Sequence, residues 1–299
     1  MTDVPRLTRE IFAQAPWQAQ DRSVLGVAAR VPTMLQEIEQ LLYVWLGENW
    51  ALGLGEIVDL GAFVGGSGAA LAQGVARAGR KTPVHLYDRF TANETTKQKM
   101  LYSKGIAPFE GRDTLALARD LLEPWQDIVR LHPGDLLTQG WHGAPIELLI
   151  VDIAKSTDVA DFVAQTWFPA LMAERSILVH QDFLHDLQPW LPAQMELFAD
   201  FFTPLAQVGR DSMVYLCLRA PTAEDVAARR LSALDDPGLA DLLARSKNRF
   251  APMGVGRRIA AMEALLHAHP GCRSAADLRR ARLRLIDQNK RPRISPGPA

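Results

Sequence analysis

Five short apolar runs constrain this chain more than any other feature. They fall at residues 57–60, 84–87, 128–131, 146–151 and 177–180, and they are nearly continuous rather than alternating. Strands of that kind are buried on both faces. Between them lie stretches with helical character: small helix formers over 69–78, and an apolar, aromatic-rich pattern over 159–171. Strands alternating with helices give an α/β fold, a parallel sheet covered on both sides. After the fifth run the pattern changes. Residues 187–201 read as a helix, and runs at 202–208 and 213–218 are separated only by Gly209-Arg210-Asp211-Ser212. That link is too short for a crossover helix and suits a hairpin.

The flanks read differently. Residues 1–32 look irregular or weakly helical. Leu35, Ile38, Leu41, Leu42, Trp45 and Leu46 have helical spacing, which Gly53 and Gly55 end. Thr222-Ala223-Glu224-Asp225 has the form of a capping box. Residues 223–289 then read as short helices separated near Asp236-Pro237-Gly238 and Pro270-Gly271, and the proline-rich tail from Lys290 is expected to be disordered. The expected division is an N-terminal helical segment over 1–54, a central domain over 55–220 and a C-terminal helical extension over 221–299. The sequence leaves open whether the extension is a lid, a dimer contact or a substrate-selecting cap, so a homo-oligomer is among the expected states. With 299 residues and 48% hydrophobic content, the chain can bury a full core. A net charge of −1 gives no field favouring nucleic acid or an anionic membrane, and neither partner is expected. Cys217 and Cys272 are too few and too far apart for a disulfide framework or a cysteine zinc site. The opening residues MTDVPRLTRE lead into no uninterrupted apolar run, and no segment has bilayer-spanning length, so a cytoplasmic protein is expected.

The first run enters the loop Asp59-Leu60-Gly61-Ala62-Phe63-Val64-Gly65-Gly66-Ser67. A loop at the carboxyl end of a first parallel strand sits beside the ligand crevice of such sheets. Gly61 and Gly65 let backbone approach a ligand, and a helix starting near Gly66-Ser67 favours a carboxylate at its N-terminus. Asp59 is placed to hold an ammonium group. The spacing D-x-G-x-x-x-G-x-S lacks the third glycine of a dinucleotide fingerprint, which favours a ligand without pyrophosphate, S-adenosylmethionine over NAD. Asp88 ends the second run and can accept both hydroxyls of a ribose. Asp135, in Pro133-Gly134-Asp135, either accepts from the adenine amine or belongs to a plain turn.

On these residues the chain resembles the class I S-adenosylmethionine-dependent methyltransferases. It is similar to the macrocin O-methyltransferase-like group and more distantly to catechol O-methyltransferase. The resemblance covers about residues 55–220 and rests on VDLGAFVGGS, the LYD strand end, HPGD, PIELLIVDIAKS and the strand ending HQDF. It implies a Rossmann-like seven-stranded sheet closing on an antiparallel hairpin strand, with methyl transfer to a hydroxyl of a small metabolite or sugar. Asp152 and Lys155 match a catechol-type Asp-x-x-Lys, implying a magnesium ligand and a general base, and Asp182 matches the second acidic ligand. Phe183 stands where that pattern has Asn, so one ligand is missing. Gln181, His185 or Asp186 can substitute; alternatively no metal binds, and His180 or His185 is the base. Trp141, Trp167 and Trp190 are candidate walls for the sulfonium, each equally a packing residue. Arg279, Arg280, Arg282 and Arg284 form a basic cluster, read as an anion site or a solvated helix face. The rival readings are a non-catalytic cofactor-binding scaffold and an NAD-type oxidoreductase, the latter disfavoured by the loop spacing.

Overall fold

The computed structural model describes residues 3–290; the rest of the expected disordered tail lies outside them. The elements in chain order are α1 (Val4–Ala13), α2 (Glu37–Trp45), β1 (Glu56–Leu60), α3 (Gly66–Arg77), β2 (Val84–Asp88), α4 (Glu94–Met100), α5 (Leu115–Leu121), β3 (Val129–Pro133), β4 (Ile146–Val151), α6 (Thr157–Trp167), β5 (Ile177–His180), α7 (Trp190–Leu197), β6 (Phe202–Val208), β7 (Ser212–Cys217), α8 (Ala223–Ala227), α9 (Asp236–Phe250), α10 (Gly256–Ala268) and α11 (Ala275–Lys290). The seven strands form one sheet in the order β3-β2-β1-β4-β5-β7-β6. β1 through β5 are parallel, and β7 runs antiparallel to both β5 and β6. This is the α/β sheet with a terminal hairpin that the alternation and the resemblance anticipate.

Several boundaries differ from the sequence reading. β3 starts at Val129 because Ile128 still closes a turn, its N–H donating to Trp125 O. The expected helix over 187–201 shrinks to α7. On either side the chain turns, Gln188 N donating to His185 O and Phe201 N to Phe198 O. α1 is a regular helix within the segment read as irregular or weakly helical. Its Phe12 meets Trp17, Trp45 and Trp50 at ring-centroid distances of 5.6, 5.5 and 5.5 Å.

The chain divides into two compact units, and they are not consecutive segments. The first holds residues 3–153, 162–183 and 198–229, so the N-terminal helices share a core with the sheet. The second holds 154–161, 184–197 and 230–290. Within it Leu239, Leu242, Leu243, Phe250, Ile259, Met262 and Leu278 are buried. The Asp161 carboxylate accepts Leu231 N and Ser232 N at 2.8 and 2.9 Å, and Gln194 Nε2 donates to Ala160 O at 2.7 Å. Among the described residues, no helix is long and apolar enough to cross a membrane.

Two features of the first unit fix the sheet against its helices. α2 continues through a π-helical turn, Leu46–Trp50, and packs on α3 with backbone nearly touching backbone. A Cβ on Gly74 would lie 2.1 Å from Val44 O, and one on Gly47 would lie 2.4 Å from Leu71 O. At the start of β1, the fully buried Glu147 carboxylate accepts Leu52 N, Gly53 N and Leu54 N at 3.0, 3.0 and 3.2 Å. Arg175 neutralises it, its Nε donating at 2.7 Å. Breaking a buried pair leaves an uncompensated charge. Arg175→Ala is therefore expected to lower unfolding stability by about 3 kcal/mol, read by urea denaturation.

Candidate cofactor-binding site

The sheet order reverses between β1 and β4, and three acids gather at this carboxyl edge: Asp59 in β1, Asp88 at the end of β2 and Asp152 just after β4. Asp152 follows directly in the ladder, its N–H donating to Leu60 O at 2.8 Å. Asp59 is 1% exposed. Its Oδ2 accepts the Ser67 hydroxyl at 2.6 Å, while its Oδ1 is buried with no hydrogen-bond partner. Burial, reinforced by the negative charges of Asp152 and Asp88, pushes its carboxyl up to about 7, against the softer opposing pull of the Ser67 bond. A buried carboxylate oxygen without a donor is a socket for a cation.

Asp88 is held rather than free. Its Oδ2 accepts Phe63 N at 2.9 Å and its Oδ1 accepts Phe90 N at 2.7 Å, and burial raises its carboxyl above the ordinary range. Each oxygen keeps a second lone pair. The backbone is strained here. Phe63, Phe90 and Asp182 all have positive φ, at 55°, 50° and 54°, directly after β1, β2 and β5. Left-handed non-glycine residues are costly and concentrate at functional edges. Nothing in the sequence signals them.

The loop glycines are also required by packing. Gly61 has φ of +107°, and a Cβ there would lie 2.9 Å from Asp152 O; Gly65 has φ of +97°, with Leu122 Cδ1 at 2.5 Å. A side chain at either would collide with neighbouring protein, at Gly61 with the main chain of Asp152. Ser67 likewise meets Asp59 through its hydroxyl. Asp135 caps a short turn, accepting Leu137 N at 3.1 Å and pairing with Arg89, so its carboxylate serves the turn.

The residues expected around a metal separate into distinct environments. Gln181 is engaged: Nε2 donates to Tyr43 Oη at 2.6 Å and Oε1 accepts from Ser212 Oγ at 2.6 Å. Ser212 also contacts Glu39, and one hydroxyl carries one hydrogen. Burial raises the Glu39 carboxyl above the ordinary range, against the opposing pull of the Ser212 hydroxyl. Phe183 is fully buried against Tyr215, at 5.8 Å between ring centroids. His180 is also fully buried, which removes it from solvent. In the second unit, Lys155 and His185 are half-buried, His185 Nδ1 accepts Leu187 N at 3.2 Å, and Asp186 pairs with Arg282 at 2.8 Å. Trp167 packs edge-on to Tyr87, while Trp141 and Trp190 bond Ala144 O and Ala154 O through Nε1, both at 2.7 Å. Arg279, Arg280, Arg282 and Arg284 lie exposed on α11. Among the described residues, Asp152 and Asp182 belong to no set of three His, Cys, Asp or Glu ligands. Where the catechol pattern has Asn, Phe183 is core, and the Gln181 amide is engaged. A cleft of about 540 Å³, lined by residues including Glu56, Arg80 and Lys81, opens at the opposite edge of the strands, away from the acids.

No protein-family model and no curated protein sequence matches the chain. Solved structures are similar to it in part. The O-methyltransferase NovP is 14% identical, with a TM-score of 0.46, over 61% of this chain and 81% of its own. PaMTH1 from Podospora anserina, an S-adenosylhomocysteine-bound methyltransferase, is 12% identical with a TM-score of 0.41, over 73% and 88%. A methyltransferase from Geobacter sulfurreducens is 14% identical with a TM-score of 0.39, over 73% and 90%. All three are methyltransferases.

The Asp59 carboxyl has a consequence for stability. The folded chain holds its proton up to about pH 7, whereas the unfolded chain releases it near 3.8. Stability from this group is therefore full below about pH 4 and lost as pH rises to about 7, an effect on the order of 4 kcal/mol. Asp59→Asn keeps an acceptor for Ser67 and removes the ionisation. The ligand-free variant is expected to be more stable than the wild type at pH 8 and to match it at pH 4, measured by denaturant titration.

Proposed function

We propose that the chain is an S-adenosylmethionine-dependent O-methyltransferase acting on a hydroxyl of a small metabolite or sugar. The observation that carries this is the buried, donorless Oδ1 of Asp59 beside the charges of Asp88 and Asp152. Such a pocket attracts an ammonium and a sulfonium and repels a pyrophosphate, which argues against NAD. The residues present fit the cofactor on that ground. Asp59 binds the methionine ammonium, and Asp88 offers its remaining lone pairs to the ribose hydroxyls. Bound S-adenosylmethionine supplies an electrophilic methyl group on a sulfonium centre. The protein has to align the acceptor oxygen and exclude water.

Asp152 and Asp182 are the carboxylates that would hold a divalent ion, which takes water at its other positions. Removal of the acceptor proton needs a general base. Asp152 contributes charge beside the ammonium socket. The acceptor is small and hydroxylated, by analogy with the family resembled.

Calorimetry with S-adenosylmethionine and S-adenosylhomocysteine tests the reading. Binding of both is expected, with affinity increasing from pH 6 to pH 7.5 as Asp59 ionises. Asp59→Asn should weaken binding at least ~10-fold and abolish that pH dependence, and Asp88→Ala should weaken it at least ~10-fold through the lost ribose contacts. Absence of binding by either compound at about 1 mM would overturn it.

A further inference from the structure

The other ends of β1 and β2 carry a second constellation. Glu56 opens β1 and His85 is the second residue of β2, each three residues before the acid at the opposite edge. At ~3.3 Å per residue, the two edges are about 10 Å apart along the strands. His142 reaches the same point from the loop before β4.

Glu56 Oε2 lies 2.9 Å from His85 Nε2 and 3.0 Å from His142 Nε2. All three ligand atoms lie within 4.8 Å of one another. The first two are buried, yet no hydrogen bond of acceptable direction reaches either, although they nearly touch. Atoms that close without a shared proton in line converge on a common point. An ion held at ~2.0–2.2 Å by each ligand separates them by roughly 2.9 Å at right angles and ~3.4 Å at the tetrahedral angle. The Glu56 distances sit at the lower end of that span, and the exposed His142 ring can adjust the third.

The surroundings are those of a ligand shell. His85 Nδ1 lies 2.9 Å from His132 Nε2, so a proton on His85 Nδ1 donated to His132 leaves the Nε2 lone pair facing Glu56 and His142. His132 is fixed by stacking on Tyr87, with centroids 4.2 Å apart and planes at 8°. Tyr87 Oη donates to Gly140 O at 3.3 Å and Trp141 Nε1 donates to Ala144 O at 2.7 Å, which shapes the loop carrying His142.

We propose that Glu56, His85 and His142 bind a divalent transition-metal ion, with zinc best matching two imidazole nitrogens and one carboxylate oxygen. The ion clasps the 140–145 loop to the amino edge of β1 and β2. It is distinct from the cofactor site at the carboxyl edge and does not depend on methyl transfer. The fourth coordination position falls to water beside the half-exposed His142.

The test uses the full chain without affinity tag, stripped with chelator. Zinc titrated by calorimetry should bind one equivalent at micromolar or lower Kd, and cobalt(II) substitution should give the visible absorption of a four-coordinate ion. His142→Ala changes an exposed side chain and should leave the fold intact, read by circular dichroism, while weakening zinc at least ~10-fold. Glu56→Gln should do the same. S-adenosylhomocysteine affinity should be unchanged in His142→Ala. Failure of zinc to saturate the wild type by about 1 mM would overturn the proposal. So would binding of undiminished affinity in both variants.

Discussion

Burial of the Asp59 carboxyl is the constraint around which the rest of this site is arranged. A lone carboxylate in an apolar sheet is costly, and this one has a single donor, the Ser67 hydroxyl. Its position in β1, at the reversal of strand order, makes the next strand over bring Asp152 rather than a compensating cation. Asp88 arrives from the other side, already engaged by two backbone N–H groups. The folded chain therefore stores electrostatic tension at one edge. In the proposed function, a ligand with an ammonium and a sulfonium would relieve it, and the ionisation of Asp59 would couple solution pH to occupancy.

The strand ends were legible because parallel strands advertise themselves. Continuous apolar runs placed Asp59, Asp88, Asp152 and Asp182 at carboxyl edges before any coordinates. The glycines were legible as glycines but not in their partners. Gly61 answers to the main chain of Asp152, which is 91 residues away, and no local pattern encodes that contact. The left-handed turns at Phe63, Phe90 and Asp182 were invisible because none uses glycine. Glu56, His85 and His142 escaped notice for a related reason. Two of them read as ordinary strand residues, and only the pairing of β1 with β2 and the path of the loop before β4 bring residues 56, 85 and 142 together.

Polar residues beneath the carboxyl edge are also organised by distance in sequence. Glu39, Tyr43, Gln181 and Ser212 come from α2, the end of β5 and the start of β7, and all are buried. Their hydrogen bonds form a continuous chain that engages both ends of the Gln181 amide, and Phe183 beside it lies in the core. Together they make a packed and bonded floor.

The close approach of Gly47 and Gly74 bears on how this floor and the loop above it stay in register. α3 begins at the glycine loop and ends beside the π turn, so its placement is set at the far end from the ligand. With no side chain on either glycine, the gap between the two backbones behaves as a fixed gauge. One added methyl group at position 74 would act as a shim: it would tilt the whole helix and transmit the error, one rigid length away, to Ser67 and the oxygen it bonds. The accuracy of the pocket is thus stored partly as missing atoms, on a surface that never meets the cofactor.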